Sequence, residues 1–178
     1  MTSEALHHAA EGDIFAIPAA VAVARDVLDS AGVTAAPVPV EKIARKLGIQ
    51  VRYAPFDGDI SGMAYIKDGV SLIGVNNLHN PNRQRFTLAH ELGHLLLHPR
   101  ELQRQVHLDK GSLNRDTLSS QGTDRYERAA NAFASELLMP ARFLANVLDL
   151  EDEEAVGRLA RKFRVSLAAM YYRLNRRD

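Results

Sequence analysis

Residues 90–94 read His-Glu-Leu-Gly-His, and this pattern constrains the chain more than any other because its chemistry works on a helix. Residues four apart stand one above the other on one helical face, so His90 and His94 can grip a single metal ion. Glu91 lies one residue on, turned off that row, where it can act on a water molecule rather than on the metal. The flanks supply the helix. Asn80-Pro81 reads as an N-cap followed by proline at the first helical position. Apolar or small residues recur at Phe86, Ala89, Gly93, Leu96 and Leu97, and Pro99 stops the run just after His98. Gly93 costs roughly 1 kcal/mol against alanine in a helix interior, so the sequence predicts that something packs very close to it. The alternative is an amphipathic helix with two exposed histidines.

Two histidines leave a catalytic zinc ion one protein ligand short, and the third is usually histidine or glutamate, with the fourth position open. The elongated form of the motif would place a histidine at 100, where Arg100 stands. His98 lies two turns from His90, about 12 Å of rise, beyond the span of one ion. His107 is suitable by type but falls in a polar, irregular stretch with no helix to aim it. Glu127 is the better candidate. Asp124 and Glu127 have the spacing of a capping box, which is the plainer reading. Yet Glu127, Ala130, Asn131, Ala134 and Leu138 form one stripe at helical spacing, so this glutamate heads a face that should be buried. Asn131, one turn on, is placed to accept from the ring N–H of a ligating histidine. The expected site is therefore Zn2+ on His90, His94 and Glu127, with Glu91 as the catalytic base.

The other elements read as an α+β layout. Pro18 to about Ala31 is an amphipathic helix and Pro37–Leu47 a second, closed by Gly48. Residues 49–53 alternate as a strand; Ile60–Lys67 and Val70–Val75 form a hairpin around Asp68-Gly69. A small three-stranded sheet would then pack against the motif helix and the Glu127 helix, and would offer an edge to an extended peptide substrate. The connection from His98 to Thr123 is long and polar, so it is either a lid over the metal or a mobile surface excursion.

A chain of 178 residues, 46% hydrophobic and 25% charged, suits one core, and we read residues 1–178 as a single domain with residues 1–17 flexible. Lysine plus arginine and aspartate plus glutamate number 22 each, so no global field steers the chain toward nucleic acid. The absence of cysteine excludes disulfides and a thiolate zinc site. Glu4, Glu11 and Asp13 precede any lysine or arginine, unlike a secretory leader, and the apolar run from Ile14 is too short to span a bilayer before Arg25. The expectation is a cytoplasmic protein with no membrane contact.

Residues 83–98, Arg-Gln-Arg-Phe-Thr-Leu-Ala-His-Glu-Leu-Gly-His-Leu-Leu-Leu-His, resemble the signature helix of the ImmA/IrrE-like metallopeptidases. Glu127 to Ala134, followed by Leu137-Leu138-Met139-Pro140, is similar to the block that carries that family's glutamate ligand. Residues 37–49 and the segments 159–166 and 169–174 resemble its opening and closing parts. The resemblance implies a compact gluzincin-like fold in which His90, His94 and Glu127 bind zinc and Glu91 is the general base. It also implies a protein substrate, a helix-turn-helix repressor of the XRE type, in stress response, mobile-element control or a toxin–antitoxin pair. Few residues precede Pro37 and the chain ends near the short family core, so the repressor is expected to be a separate polypeptide.

Residues 158–176 support a rival reading. Arg158, Arg161, Lys162, Arg164, Arg173, Arg176 and Arg177 crowd two short helices joined near Val165-Ser166, with Ser166 as N-cap. That looks like a helix-turn-helix, and its charges could meet phosphates. Where the family usually has glycine, Arg164 stands. The favoured reading packs Leu159, Phe163, Val165, Met170, Tyr171 and Leu174 on the core with the arginines solvated, which makes direct nucleic-acid binding a minor expectation. The competing function is a non-cleaving protein that sequesters a repressor. For cleavage itself, Tyr126, His107, Tyr171 and Tyr172 are the candidates for the oxyanion partner.

Overall fold

Turn and cap chemistry sets the path of the first half of the chain. A computed structural model describes residues 16–109, 121–144 and 152–175. Helix α1 covers Ile17–Ser30 and α2 covers Val40–Lys46. The second helix starts three residues later than the sequence suggests, because Pro39 keeps Val38 out of the helical region. Its end follows expectation. Gly48 takes a left-handed conformation, φ +80, its N–H donates to Arg45 O and the N–H of Ile49 donates to Ala44 O, which is a Schellman closure. Strands β1 (Gln50–Ala54), β2 (Gly62–Lys67) and β3 (Val70–Asn76) follow. Asp68 and Gly69, at φ 51 and 76, join β2 to β3 through the tight turn that their sequence predicts.

Helix α3 spans Pro81–Leu97, and the Asn80 side chain accepts from Arg83 N as its cap. Beyond it the expected irregular connection is partly ordered. It contains the short helix α4 (Pro99–Arg104) and strand β4 (His107–Asp109), and α5 begins at Gln121 and runs to Leu138. The rest of that connection, and with it the choice between lid and excursion, lies outside the described residues. Helices α6 (Ala141–Leu144), α7 (Glu153–Phe163) and α8 (Leu167–Asn175) are the remaining elements among the described residues.

Among the described residues the sheet has four strands, not three, in the order β1-β3-β2-β4. β1 runs parallel to β3, whereas β2 is antiparallel to both β3 and β4. The α+β architecture is compatible with a compact zincin-like fold. α3 packs on β2 and β3 on one side and on α5 on the other, and α1 covers α5. From Thr87 to Leu95 every residue of α3 is buried. A helix apolar on all faces belongs in a core, and Thr87, His90, Glu91 and His94 are the polar exceptions to its interior.

Glycine permits two close approaches here. A Cβ at Gly62 would lie 2.3 Å from Thr87 Cγ2, so β2 crosses α3 almost in contact. A Cβ at Gly93 would lie 3.0 Å from Phe133 Cδ1 and 3.3 Å from Ala130 Cα, so the expected tight packing is that of α5.

The closing helices pack as the apolar pattern predicts, with Phe163, Val165, Met170 and Leu174 buried and Ser166 Oγ accepting from Ala169 N. Arg164 sits at φ 55, ψ 51, a left-handed position that glycine would fill without strain. One expectation is corrected. Arg173 is not solvated: it pairs with the buried Glu136 and donates to Met139 O, fastening α8 to α5. Arg176, Arg177 and most of the segment 1–17, which the sequence analysis expects to be flexible, lie outside the described residues. Among those described, no helix is long and apolar enough to cross a membrane.

Candidate metal centre

α3 delivers the two histidines and α5 delivers the glutamate. The Nε2 atoms of His90 and His94 stand 3.0 Å apart. Glu127 reaches both rings, with Oε2 3.3 Å from His90 Nε2 and Oε1 3.3 Å from His94 Nε2. Four-coordinate zinc with bonds of 2.0–2.1 Å places its donors about 3.3 Å apart. The three sequence-predicted ligand residues therefore meet at the spacing one small cation requires. Glu127 does this from a half-buried position, its side chain 33% exposed, while both rings are buried. The capping-box reading of Asp124 and Glu127 fails because α5 starts at Gln121, which puts Glu127 in its second turn.

A fourth residue joins them. Strand β4 turns His107 inward, with Nε2 3.6 Å from Glu127 Oε1 and the ring centroid 3.9 Å from that of His94. Donor atoms of His90, His94, His107 and Glu127 all lie within 4.8 Å of one another. The expectation that nothing would aim His107 is thus corrected. Pairing with β2 aims it, through Ala64 opposite His107. The signal was the alternation Val106-His107-Leu108-Asp109, hidden because its sense is inverted. Val106 and Leu108 face outward, and the polar residues face in. Of the four oxyanion candidates, His107 is the one that joins this cluster; Tyr126 lies edge-on to His98, Tyr171 packs on the core and Tyr172 is exposed.

Glu91 is fully buried, and neither carboxylate oxygen has a hydrogen-bond partner. His107 Nε2 is 4.0 Å away. His90 Nδ1 and His107 Nε2 are also buried without hydrogen bonds. Asn131 therefore does not accept from His90 Nδ1, contrary to expectation. Buried polar atoms with no hydrogen-bond partner are rare in folded proteins. Here they surround a cluster of lone pairs that a divalent cation would satisfy.

The electrostatics agree with a cation-binding cluster. Burial disfavours a charged His90, but the Glu127 carboxylate and the nearby Glu91 hold its pKa up, at about 9. One protonated ring is all the cluster sustains: burial, with the charge of His90 added, drives His94 down to about 3. Burial would raise Glu127, yet its bonds to His90 and His94 hold it far below the usual carboxylate range. Burial also lowers His107 and pushes Glu91 up to about 8. The set is thus an ionised carboxylate facing one imidazole held in its charged form, His90, and two that prefer to be neutral, His94 and His107; a bound cation would take the place of the His90 proton.

Residues 44–175 match the IrrE N-terminal-like domain, a peptidase family. The chain is 32% identical over 108 residues to the radiation response metalloprotease IrrE of Deinococcus radiodurans, covering 58% of this chain and 30% of that protein. Against the protein of the same name from Deinococcus deserti it is 34% identical over 112 residues, covering 60% and 36%. The chain thus spans about a third of these relatives' length. Its fold is similar to that of a Mycobacterium tuberculosis transcriptional regulator, with TM-score 0.57 at 18% identity, covering 88% of this chain and 46% of the other.

Proposed function

We propose, from the premise that this chain belongs to the IrrE N-terminal-like peptidase family, that it is a zinc-dependent endopeptidase. The observation that carries the proposal is the triangle of donor atoms, 3.0 to 3.3 Å on a side, formed by His90, His94 and Glu127. When bound, the ion supplies Lewis-acid polarisation of a peptide carbonyl and lowers the pKa of water toward about 7. His90, His94 and Glu127 hold it, two neutral imidazoles and one carboxylate. Glu91 accepts the proton of the attacking water on a carboxylate oxygen and returns it to the leaving amine nitrogen. Its burial supports that role, since a dry carboxyl retains a proton long enough to pass it on. The sheet edge at β4, beside the site, is where an extended substrate adds by main-chain hydrogen bonds.

The substrate in this proposal is a protein, an XRE-type helix-turn-helix repressor. The name metalloprotease borne by the two relatives supports a protein substrate, and the family resemblance of the sequence supports the repressor. The test is to mix the zinc-loaded chain with a purified XRE-type repressor and measure intact masses. Two fragments whose masses sum to the repressor plus one water support cleavage; a stable complex of intact chains supports sequestration instead.

A further inference from the structure

We infer that His107 is a fourth protein ligand of the ion held by His90, His94 and Glu127, and that it closes the ion to solvent until β4 shifts. A catalytic zinc site keeps one position open, whereas a closed site carries four protein donors. Here the donors number four. The 3.6 Å from His107 Nε2 to Glu127 Oε1 is close to the roughly 3.3 Å edge of a tetrahedral site. That nitrogen is buried and has no hydrogen-bond partner, so a cation is the group that satisfies it.

The position matters as much as the count. His107 Nε2 stands 4.0 Å from Glu91 Oε2, on the side that the general base faces. Water that gives its proton to Glu91 must occupy that same side. His107 and the reacting water therefore exclude one another. The element that carries His107 is suited to move. β4 has three residues and, among the described residues, pairs with β2 alone at the edge of the sheet. Leaving β2 costs it the main-chain hydrogen bonds of a three-residue pairing, less than moving α3 or α5 would cost. Docking of a substrate strand on β4 is thus the event that would draw His107 away and open the ion.

This inference rests on the metal centre of the proposed function, and cobalt(II) as the probe separates the two. A cobalt-bound imidazole gives one solvent-exchangeable, hyperfine-shifted N–H proton resonance. The full chain loaded with one equivalent of cobalt(II) should show three such resonances, and His107→Ala should show two. Acetohydroxamate, which needs a vacant position, should shift the visible spectrum of His107→Ala at concentrations at least tenfold lower than for the parent. Two resonances in the parent chain would overturn the inference, as would equal hydroxamate sensitivity in both. If His107→Ala does not fold, the resonance count of the parent decides alone. A parent chain that takes up no cobalt(II) overturns the metal centre itself, and this inference with it.

Discussion

Gly93 of α3 and Ala130 of α5 touch through their backbones: a Cβ at 93 would stand 3.3 Å from both the Cα and the carbonyl oxygen of Ala130. Glu127 lies one helical turn before Ala130 on that same face, so the approach of the two helices sets how far its carboxylate reaches toward His90 and His94. Gly93→Val should force α5 off α3. We expect a loss of about 1–3 kcal/mol of stability and weaker zinc binding, read by thermal denaturation and zinc titration. Gly93→Ala should cost much less, because alanine regains about 1 kcal/mol of helix propensity. Unchanged zinc affinity in Gly93→Val would show that the helix spacing does not govern the site.

Glu91→Gln preserves shape while removing the proton acceptor. The variant should retain zinc at the parent's stoichiometry, and its cleavage rate should fall by about 10²–10⁴-fold. A rate within threefold of the parent would remove Glu91 from the mechanism.

The same residue makes a pH prediction for the metal-stripped chain. Burial raises the Glu91 pKa from 4.5 to about 8, so between those values the folded state binds the proton that the unfolded state has released. Stability must then fall as pH rises through that window. Glu91→Gln should flatten the fall, making the stripped variant more stable than the stripped parent at pH 8 and little different at pH 4. Urea unfolding at the two pH values measures this, and an identical difference at both would contradict it.

Glu136, 2% exposed, receives Arg25 Nε at 3.0 Å, the Arg173 guanidinium and Ala141 N at 3.4 Å. It joins α1, α5 and α8 from inside. Glu136→Ala strands the largely buried Arg173 and should cost about 3 kcal/mol; Arg25, more than half exposed, should matter less, with Arg25→Ala within about 1 kcal/mol. Equal losses in the two variants would place the stability elsewhere.

Residues whose chemistry is local were readable in advance. Asn80-Pro81, Gly48, Asp68-Gly69 and Ser166 each dictate their own turn or cap, and each appears where the sequence puts it. The 3.6-residue period likewise brought Glu127 onto the buried side of α5. Tertiary consequences were harder to see. A three-residue edge strand has too little length for its alternation to register, so β4 and the aim of His107 emerged only from pairing with β2. Arg173 carries no local sign that it turns inward, since its partner Glu136 is 37 positions away. Asn131 shares the helical face of Glu127, yet spacing along a helix does not determine what a side chain meets beyond it.

The central claim is that Glu127 completes a grip on one ion begun by His90 and His94. Metal content of the untagged chain, measured by mass spectrometry after dialysis, tests it directly when run beside Glu127→Ala. The account predicts one zinc per parent chain and less than about a tenth of that in the variant, with both folded by circular dichroism. A parent chain without metal, or a folded Glu127→Ala that keeps its full zinc, would contradict it.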